Sequence, residues 1–425
     1  MRKTIRKLLF LFIILSVVWP FYIDIRLSTT VGINPQRLIL IILFLFEAIG
    51  GRFKGLNKLN KMWLFVFSLY IFYRLFVGIY YKSSLSIVLS ANEILTLYLL
   101  SILCAKYLTF ADIYRIGRIF YFTAFYLLAI VVLEFVTKRN VFAGINSGIG
   151  KAAQGAAITL VREGFDRVKG TFENSLTLMQ YLLFSYPLIH LYIKRVASGK
   201  RFKNIAVTFA YAIMMAMTLS RFGIALFALE ILVIVFFSFR SRLVRVSMVT
   251  IGILSIVPFY LVLSSSVFDE KIQLGTGNAG TLLSSDQRVA QLVAAGAVFV
   301  KHPFIGFGLG SAGDTLYEES QQNNTSYVIY DNSVDDRFVS ILVESGIFPC
   351  ILFFLIFVMS IRKSFMFVRS TEQKMISMII LVIFASLFIL SIFTLYPLIF
   401  ILLSLVNKRR NIRVQETLYL DNLTH

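Results

Sequence analysis

The sequence predicts an all-α, polytopic membrane protein with about 12 transmembrane helices. Hydrophobic residues make up 58% of its 425 residues, enough for about 12 spans of roughly 20 residues each. Charged residues make up 15% and sum to a net charge of +20. The basic residues lie in short clusters between apolar runs, as in loops that orient a membrane protein. These observations exclude a soluble multidomain enzyme and a nucleic-acid-binding protein.

Apolar runs between the charge clusters predict each span in turn. The first segment resembles a signal peptide, but no small-residue cleavage site precedes Pro20 and Asp24, so we expect it to remain as a span. The spans are expected near residues 8–24, 37–50, 62–81, 87–105, 116–136, 174–193, 204–219, 222–239, 246–264, 338–360, 375–391 and 394–407.

The distribution of Lys and Arg predicts that both termini are cytoplasmic. Of the 42 basic residues, 27 fall in the stretches that this orientation places inside, in agreement with the positive-inside rule. Those stretches are residues 1–7, 51–61, 106–118, 194–203, 240–245, 362–374 and 408–425.

The chain divides into three regions. Residues 1–136 form an N-terminal transmembrane bundle of about five spans, and residues 361–425 hold two further spans and a basic cytoplasmic tail. The core between them, residues 137–360, contains the outer loops 137–173 and 265–337. Both are too long to be turns, so we expect them to form an active site that faces the outside.

The second outer loop is expected to contain a helix. Residues 284–287, Ser-Ser-Asp-Gln, resemble a capping box, and the apolar residues that follow have helical spacing until Pro303. This pattern predicts an amphipathic helix that lies at the outer membrane surface.

Two arginines stand at the predicted outer mouth of the bundle. Arg221 lies between two apolar runs that leave no room for a loop, and Arg167 is the loop arginine closest to the membrane. Each guanidinium could reach lipid headgroups in a structural role. Alternatively, its two-donor fork could bind the phosphate oxygens of a lipid pyrophosphate.

The second outer loop offers three further candidates. Arg288 opens the predicted helix, and the glycine run 306–310 either admits a substrate or anion or forms a tight turn. Residues 331–337 carry three carboxylates, which could be a solvated edge, a calcium site or a general base with its neighbours; the absence of a glycine turn disfavours calcium. Glu344 should lie about two turns into the tenth span and face a polar cavity or a partner.

Other charges fall within predicted spans, where they could be paired structural groups or part of a proton or substrate path. The histidines and the two cysteines show no metal-ligand spacing, so no metal and no cofactor is expected. The charges are Glu47, Arg74, Glu93, Glu134 and Glu230.

Taken in order, several of these motifs resemble the O-antigen polymerase and ligase family over about residues 160–360. The motifs are Arg167 to Asn174, Ser220 to Gly223, Arg288 with its helix to Pro303, Gly306 to Gly310, Asp331-Asn332-Ser333 and Glu344 to Ile347.

The resemblance implies a GT-C-like glycosyltransferase of the bacterial cytoplasmic membrane. Such enzymes move glycans from undecaprenyl pyrophosphate to an acceptor hydroxyl at the outer face, and they use no metal. Membrane lipids, a chain-length regulator and a flippase are the expected partners. Ligases of the family usually show His-Asn-Ser where this chain has Asp331-Asn332-Ser333, which favours a Wzy-type polymerase; a ligase or a twelve-span transporter are the alternatives.

The resemblance also implies a role for each of the candidate residues. Pyrophosphate binding carries over to Arg221, Arg288 and Arg167. Asp331 is the first candidate for the general base and Asp336 the second, with Arg288 assisting catalysis at the leaving group. Glycan binding is assigned to Glu173, Asn174 and Asn332.

Overall fold

The structure, a computed structural model, is dominated by α-helices. The predicted span 246–264 and the triplet 331–333 lie outside the residues that it describes, and the side chains of Arg221 and residues 284–289 are also outside the description. It describes residues 2–20, 23, 25–26, 32–49, 58–142, 161–162, 165–195, 200–238, 284–322, 334, 336–366, 371–387 and 395–408.

Among its described residues, the N-terminal region contains six α-helices and one π-helical segment. Asn60 begins the third helix by accepting a hydrogen bond from the Met62 amide on its side-chain oxygen (3.0 Å). A two-stranded antiparallel hairpin, β1 (Ile25–Arg26) and β2 (Gly32–Ile33), separates the first two helices. The helices are α1 (Arg2–Val18), α2 (Pro35–Ile49), α3 (Lys61–Tyr80), α4 (Ser84–Glu93), the π segment (Ile94–Leu99), α5 (Leu100–Tyr107) and α6 (Asp112–Thr137).

In the part of the remaining chain that the structure describes, there are a second hairpin, β3 (Val161–Arg162) with β4 (Phe165–Asp166), and nine further helices. They are α7 (Ser175–Arg195), α8 (Lys200–Met217), α9 (Arg221–Ser238), α10 (Ser284–Lys301), α11 (Ala312–Gln322), α12 (Arg337–Ser345), α13 (Ile347–Met366), α14 (Thr371–Ser386) and α15 (Tyr396–Val406).

Several of these helices have the length and composition of membrane spans. Among the described residues, five segments qualify, and they fall on spans that the sequence predicts, so a multi-pass membrane protein is supported. The total of 12 spans and the GT-C-like architecture stay predictions. The five segments are Lys61–Tyr80, Ser84–Tyr107, Asp112–Thr137, Ser175–Arg195 and Ile347–Phe365.

Helix α7 lies at the centre of the bundle. It contacts α6, α8, α9 and α14 and is buried on nearly every side. Gly117 of α6 allows the closest approach, because a Cβ there would stand only 2.3 Å from the Leu188 carbonyl oxygen of α7. A helix that is apolar all round is buried among its neighbours. The N-terminus of α7 is therefore held in place, and it constrains the residues just before it.

Residues from several predicted inner stretches meet at one end of the bundle, which we call the basic end. Arg6 donates to Asp112, Lys58 donates to the Lys106 carbonyl oxygen (3.1 Å), and Lys363 donates to the Lys408 carbonyl oxygen (2.7 Å). Stretches that the charge count assigns to one side of the membrane therefore do lie together. Which side is cytoplasmic stays a prediction.

Cysteine labelling tests this sidedness. Arg139 is exposed at the end opposite the basic end, and Lys61 is exposed at the basic end itself. An impermeant maleimide added to intact cells should label Arg139→Cys and should label Lys61→Cys only after the membrane is permeabilised. The parent chain is the background control, because Cys104 is buried but Cys350 is half-buried and could react on its own. The reverse labelling pattern would invert the topology.

The tenth predicted span, 338–360, is wrong as a single helix. The chain breaks at Gly346, which has φ +80° and separates the short helix α12 from the long helix α13. Hydropathy does not detect a change of backbone direction. Glu344 therefore lies at the end of α12 rather than two turns inside a span.

The glycine run 306–310 packs against this break. The amide of Phe307 donates to the Val343 carbonyl oxygen (2.9 Å) and that of Gly308 to the Glu344 carbonyl oxygen (3.0 Å). Gly306 has φ +70°, and a Cβ there would stand 2.5 Å from the backbone of residues 343–345. Of the two readings of the run, the tight turn fits these contacts, because the close approach is made by the protein itself.

Glycine substitutions test this packing. Gly306→Ala should lower the melting temperature, because the added methyl group meets backbone that cannot rotate away and the φ is unfavourable for alanine, at a cost of about 1–3 kcal/mol. Gly296, in the middle of α10, has open space around it. Gly296→Ala is the matched control and should leave the melting temperature unchanged or raise it, since alanine favours a helix by about 0.5–1 kcal/mol over glycine. Equal melting temperatures for the two variants would contradict the packing.

The helix expected in the second outer loop is present as α10 and ends near Pro303, as predicted. Its small residues, Ala290, Ala294 and Val298, pack against α11 and α12, whereas Leu292 and Val300 are exposed. Large apolar side chains on the outer side agree with a helix at a membrane surface, although its position relative to the membrane stays a prediction.

Candidate functional site

Residues 167–175, which precede the central helix α7, form the first part of the candidate site. Val168 to Phe172 and Ser175 are buried, whereas Glu173 is exposed and Arg167 and Asn174 are half-buried. A ligand can therefore reach three side chains of this segment. These three are the residues that the sequence analysis selected here.

Glu134, near the end of α6, holds this segment in place. Its carboxylate accepts hydrogen bonds from the amides of Lys169 (3.2 Å) and Gly170 (2.7 Å). Asn140 donates to the Gly170 carbonyl oxygen (3.1 Å), and the Thr171 hydroxyl donates to a carbonyl oxygen of α1 (2.7 Å). Glu134 thus has a structural role, one of the two alternatives for the charges in predicted spans.

Arg167 contacts the junction between α8 and α9. Its Nε donates to the Thr218 carbonyl oxygen at 3.0 Å, and the Val168 amide is 3.4 Å from the Met217 carbonyl oxygen. Arg221 is the first residue of α9, three positions after Thr218. The structure therefore joins the Arg167 segment to the α8–α9 junction, which immediately precedes Arg221, although Arg167 and Arg221 are 54 positions apart in the sequence.

The α8–α9 junction is tightly built. Leu219 has φ +51°, and the Ser220 hydroxyl accepts a hydrogen bond from the Gly223 amide (3.2 Å). A Cβ on Gly223 would stand 2.3 Å from Met179 Cγ of α7. A larger residue at this position of the Ser220-Arg221-Phe222-Gly223 motif would therefore require the Met179 side chain to move.

Asn174 and Glu173 differ in what they contact. The side-chain oxygen of Asn174 accepts hydrogen bonds from the Thr177 amide (2.8 Å) and hydroxyl (3.0 Å), so it caps the N-terminus of α7. Glu173 is exposed, yet burial raises its pKa while Lys169 lowers it. Burial and the charge of Lys169 thus act on the pKa of this carboxyl in opposite directions, although the side chain is accessible to solvent.

The second part of the candidate site lies on α10 and α12. Asp336 is the N-cap of α12, where one carboxylate oxygen accepts hydrogen bonds from the amides of Phe338 (2.7 Å) and Val339 (3.1 Å). Arg288 lies in the first two turns of α10, without a described side chain. Asp331 and Asn332 lie outside the described residues. The roles proposed for these four residues stay predictions.

The end of α14 connects the two parts. Gln180 of α7 donates to the Ser386 hydroxyl (2.7 Å), and the Arg337 amide donates to the carbonyl oxygen of Leu387, the next residue (3.1 Å). Gln180 lies about 9 Å along the helix from Asn174. The beginnings of α7 and α12 therefore contact the same short segment.

Sequence reasoning did not identify a buried network of four charges beside the site. Arg74 donates to both carboxylate oxygens of Glu93, at 3.0 and 2.6 Å, and to Glu344 at 2.8 Å. Arg337 donates to the same Glu93 at 3.2 Å. All four side chains are at most about 5% exposed. Two guanidinium groups thus neutralise two carboxylates inside the protein.

Glu344 joins this network to the glycine run. Its second carboxylate oxygen accepts a hydrogen bond from the Gly310 amide (3.0 Å). The expectation that Glu344 faces a partner is confirmed. The sequence gives little indication that Arg74 and Glu344 form a pair, because they are 270 positions apart.

Two other predicted charges in spans have different environments. Glu47 accepts hydrogen bonds from Lys106 (2.5 and 2.7 Å), which makes it a paired group near the basic end. Glu230 is fully buried, and neither carboxylate oxygen has a hydrogen-bond partner among the residues that the structure describes. Within the same residues, no cluster of three or more His, Cys, Asp or Glu side chains could hold a metal ion.

Comparison with known proteins agrees with the family resemblance. Residues 206–354 match the sequence model of the O-antigen ligase family, Wzy_C. The matched segment runs from α8 to α13 and includes the junction at Ser220, the glycine run and α12. No curated protein shows a significant match to the chain. The chain is therefore a multi-pass membrane protein whose residues 206–354 are similar to the O-antigen ligase family, and this similarity supports the resemblance to O-antigen polymerases and ligases.

Proposed function

We propose that this protein polymerises undecaprenyl-pyrophosphate-linked oligosaccharide repeat units into a surface polysaccharide. The reaction takes place at the outer face of the bacterial cytoplasmic membrane. The contact between Arg167 and the Thr218 carbonyl oxygen carries the proposal, because it joins the Arg167 segment to the α8–α9 junction, three residues before Arg221. The O-antigen ligase match supports transfer of a lipid-linked glycan as the reaction type.

In this proposal, Arg167 and Arg221 bind the pyrophosphate of the donor, together with Arg288. A guanidinium stays charged and donates two parallel hydrogen bonds to phosphate oxygens. The leaving group gains negative charge as the bond to the sugar breaks, and positioned cations in a site of low dielectric stabilise that charge. No metal ion or nucleotide sugar is required for this step.

The transfer is an inverting single displacement. An acceptor hydroxyl attacks the anomeric carbon on the face opposite the pyrophosphate, while Asn174 and Asn332 contact the sugars. Asp331 is the base that the family pattern proposes. Asp336 is a weaker candidate, since its two hydrogen bonds from amides of α12 favour an ionised, structural carboxylate.

Reconstitution tests the proposal. Purified protein in liposomes, supplied only with undecaprenyl-pyrophosphate-linked repeat units, should produce a ladder of longer glycans on a gel. The same protein with Arg221→Ala is the negative control. Wild-type protein that neither lengthens the donor nor transfers it to any added acceptor would contradict the proposed function.

A ligase is the second candidate, favoured by the O-antigen ligase description of the matched family. A ligase moves a finished glycan to another acceptor, so it would give no ladder from the donor alone. It would instead give one product when a pyrophosphate-free acceptor such as lipid A core is added. The presence of Asp at position 331, where ligases of the family usually have His, supports the polymerase.

A further inference from the structure

We propose that Glu173, rather than Asp331, accepts the proton of the attacking hydroxyl, and so is a catalytic residue of the transfer rather than only a glycan-binding one. This inference rests on the proposed function and deepens it. It is carried by the accessibility of Glu173, by the rigidity of its segment and by its place between Arg167 and the N-terminus of α7.

Accessibility singles out Glu173 among the described carboxylates of the site. Glu134 is buried and accepts amide hydrogen bonds, and Glu344 is buried against Arg74. Asp336 caps α12. Glu173 is exposed on a segment whose neighbours are buried. A general base must come within hydrogen-bond distance of the hydroxyl that it deprotonates, and Glu173 is placed to do so.

The position of Glu173 is fixed from both sides. Before it, the amides of Lys169 and Gly170 are held by Glu134, and the Phe172 amide donates to the Lys169 carbonyl oxygen (3.1 Å). After it, Asn174 caps α7. The carboxyl therefore extends from a rigid backbone, which lowers the entropic cost of aligning it with a substrate.

The electrostatic surroundings suit a base. Lys169 is buried and interacts electrostatically with both Glu134 and Glu173. Its charge and the nearby N-terminus of α7 favour the charged Glu173 carboxylate. Burial acts in the opposite direction and raises the pKa of Glu173, which makes its anion a stronger base. Arg167, which is proposed to bind the donor pyrophosphate, lies six positions earlier on the same segment.

The chemical step needs no reactant other than the donor, the acceptor and the Glu173 carboxylate. The acceptor oxygen forms a bond to the anomeric carbon as the bond between that carbon and the pyrophosphate oxygen breaks. The electron pair of the broken bond stays on the pyrophosphate. The hydroxyl proton moves to the Glu173 carboxylate and is later released to water.

Kinetics of Glu173 variants test the assignment. In the liposome assay, Glu173→Gln should slow extension by about 10²–10⁴-fold, with donor affinity within about twofold of wild type. The wild-type rate should fall as the pH drops through the raised pKa of Glu173, because the protonated carboxyl is no longer a base. Glu173→Gln should lack this fall. Glu318→Gln, at an exposed position of α11, is the control and should match wild type.

Chemical rescue distinguishes a catalytic role from a structural one. Added formate should restore part of the rate of Glu173→Ala, since a small carboxylate can occupy the vacated space. A purely structural residue would give no rescue. Normal extension by Glu173→Gln, or loss of donor affinity as the main defect, would overturn the inference alone. An inactive wild-type protein would overturn the proposed function as well.

Discussion

Replacing Arg74 by methionine is expected to destabilise the protein by about 3–5 kcal/mol, since removal of one partner leaves a buried charge uncompensated. Arg74 is 2% exposed and contacts both Glu93 and Glu344. Arg337 can still pair with Glu93 in the variant, but Glu344 loses its ionic partner. The melting temperature of the purified protein in detergent measures the effect.

Arg115→Met is the matched control for this prediction. Arg115 is 40% exposed and stands 3.5 Å from Asp112, so its pair contributes at most about 1 kcal/mol. The double variant Arg74→Met with Glu344→Gln should recover part of the loss, because the uncompensated charge is removed. A melting temperature for Arg74→Met equal to that of wild type would contradict the role of the network.

Arg221→Lys is expected to reduce polymerisation by roughly tenfold or more, while the protein still inserts and folds. Lysine keeps the positive charge but lacks the two-donor fork, and each charge-assisted hydrogen bond that is lost is worth about 1.5–3 kcal/mol. The rate of chain extension in liposomes measures the change. Arg139→Lys, an exposed arginine of the first outer loop, is the control and should extend chains normally. Full activity of Arg221→Ala would remove Arg221 from the mechanism.

Much of the fold follows from hydropathy. The predicted spans 62–81 and 116–136 correspond to α3 and α6, because apolar runs bounded by charges define a span with little help from tertiary structure. The prediction failed at Gly346, where a positive φ breaks the helix inside an uninterrupted apolar run. A hydropathy value averaged over a window of residues does not detect the backbone conformation of a single residue.

The site could be predicted in part, for a similar reason. Arg167, Glu173 and Asn174 stand in a short polar segment just before a span, so local sequence and the family resemblance single them out as candidates, and their roles stay predictions. The charge network depends on contacts between α3, α4 and α12. One sequence offers many ways to pair an arginine in a span with a carboxylate in another, and only the packing of the helices decides among them.

The charge network also limits how relatives of this protein can be recombined. Arg337 and Glu344 lie inside the segment that matches the O-antigen ligase family, whereas Arg74 and Glu93 lie well before it. A chimera that exchanges residues 206–354 alone would combine charges from two lineages in one buried cluster. Such a chimera should fold only when α3 and α4 are exchanged together with residues 206–354. The part of the chain that must come from one protein is therefore larger than the matched segment.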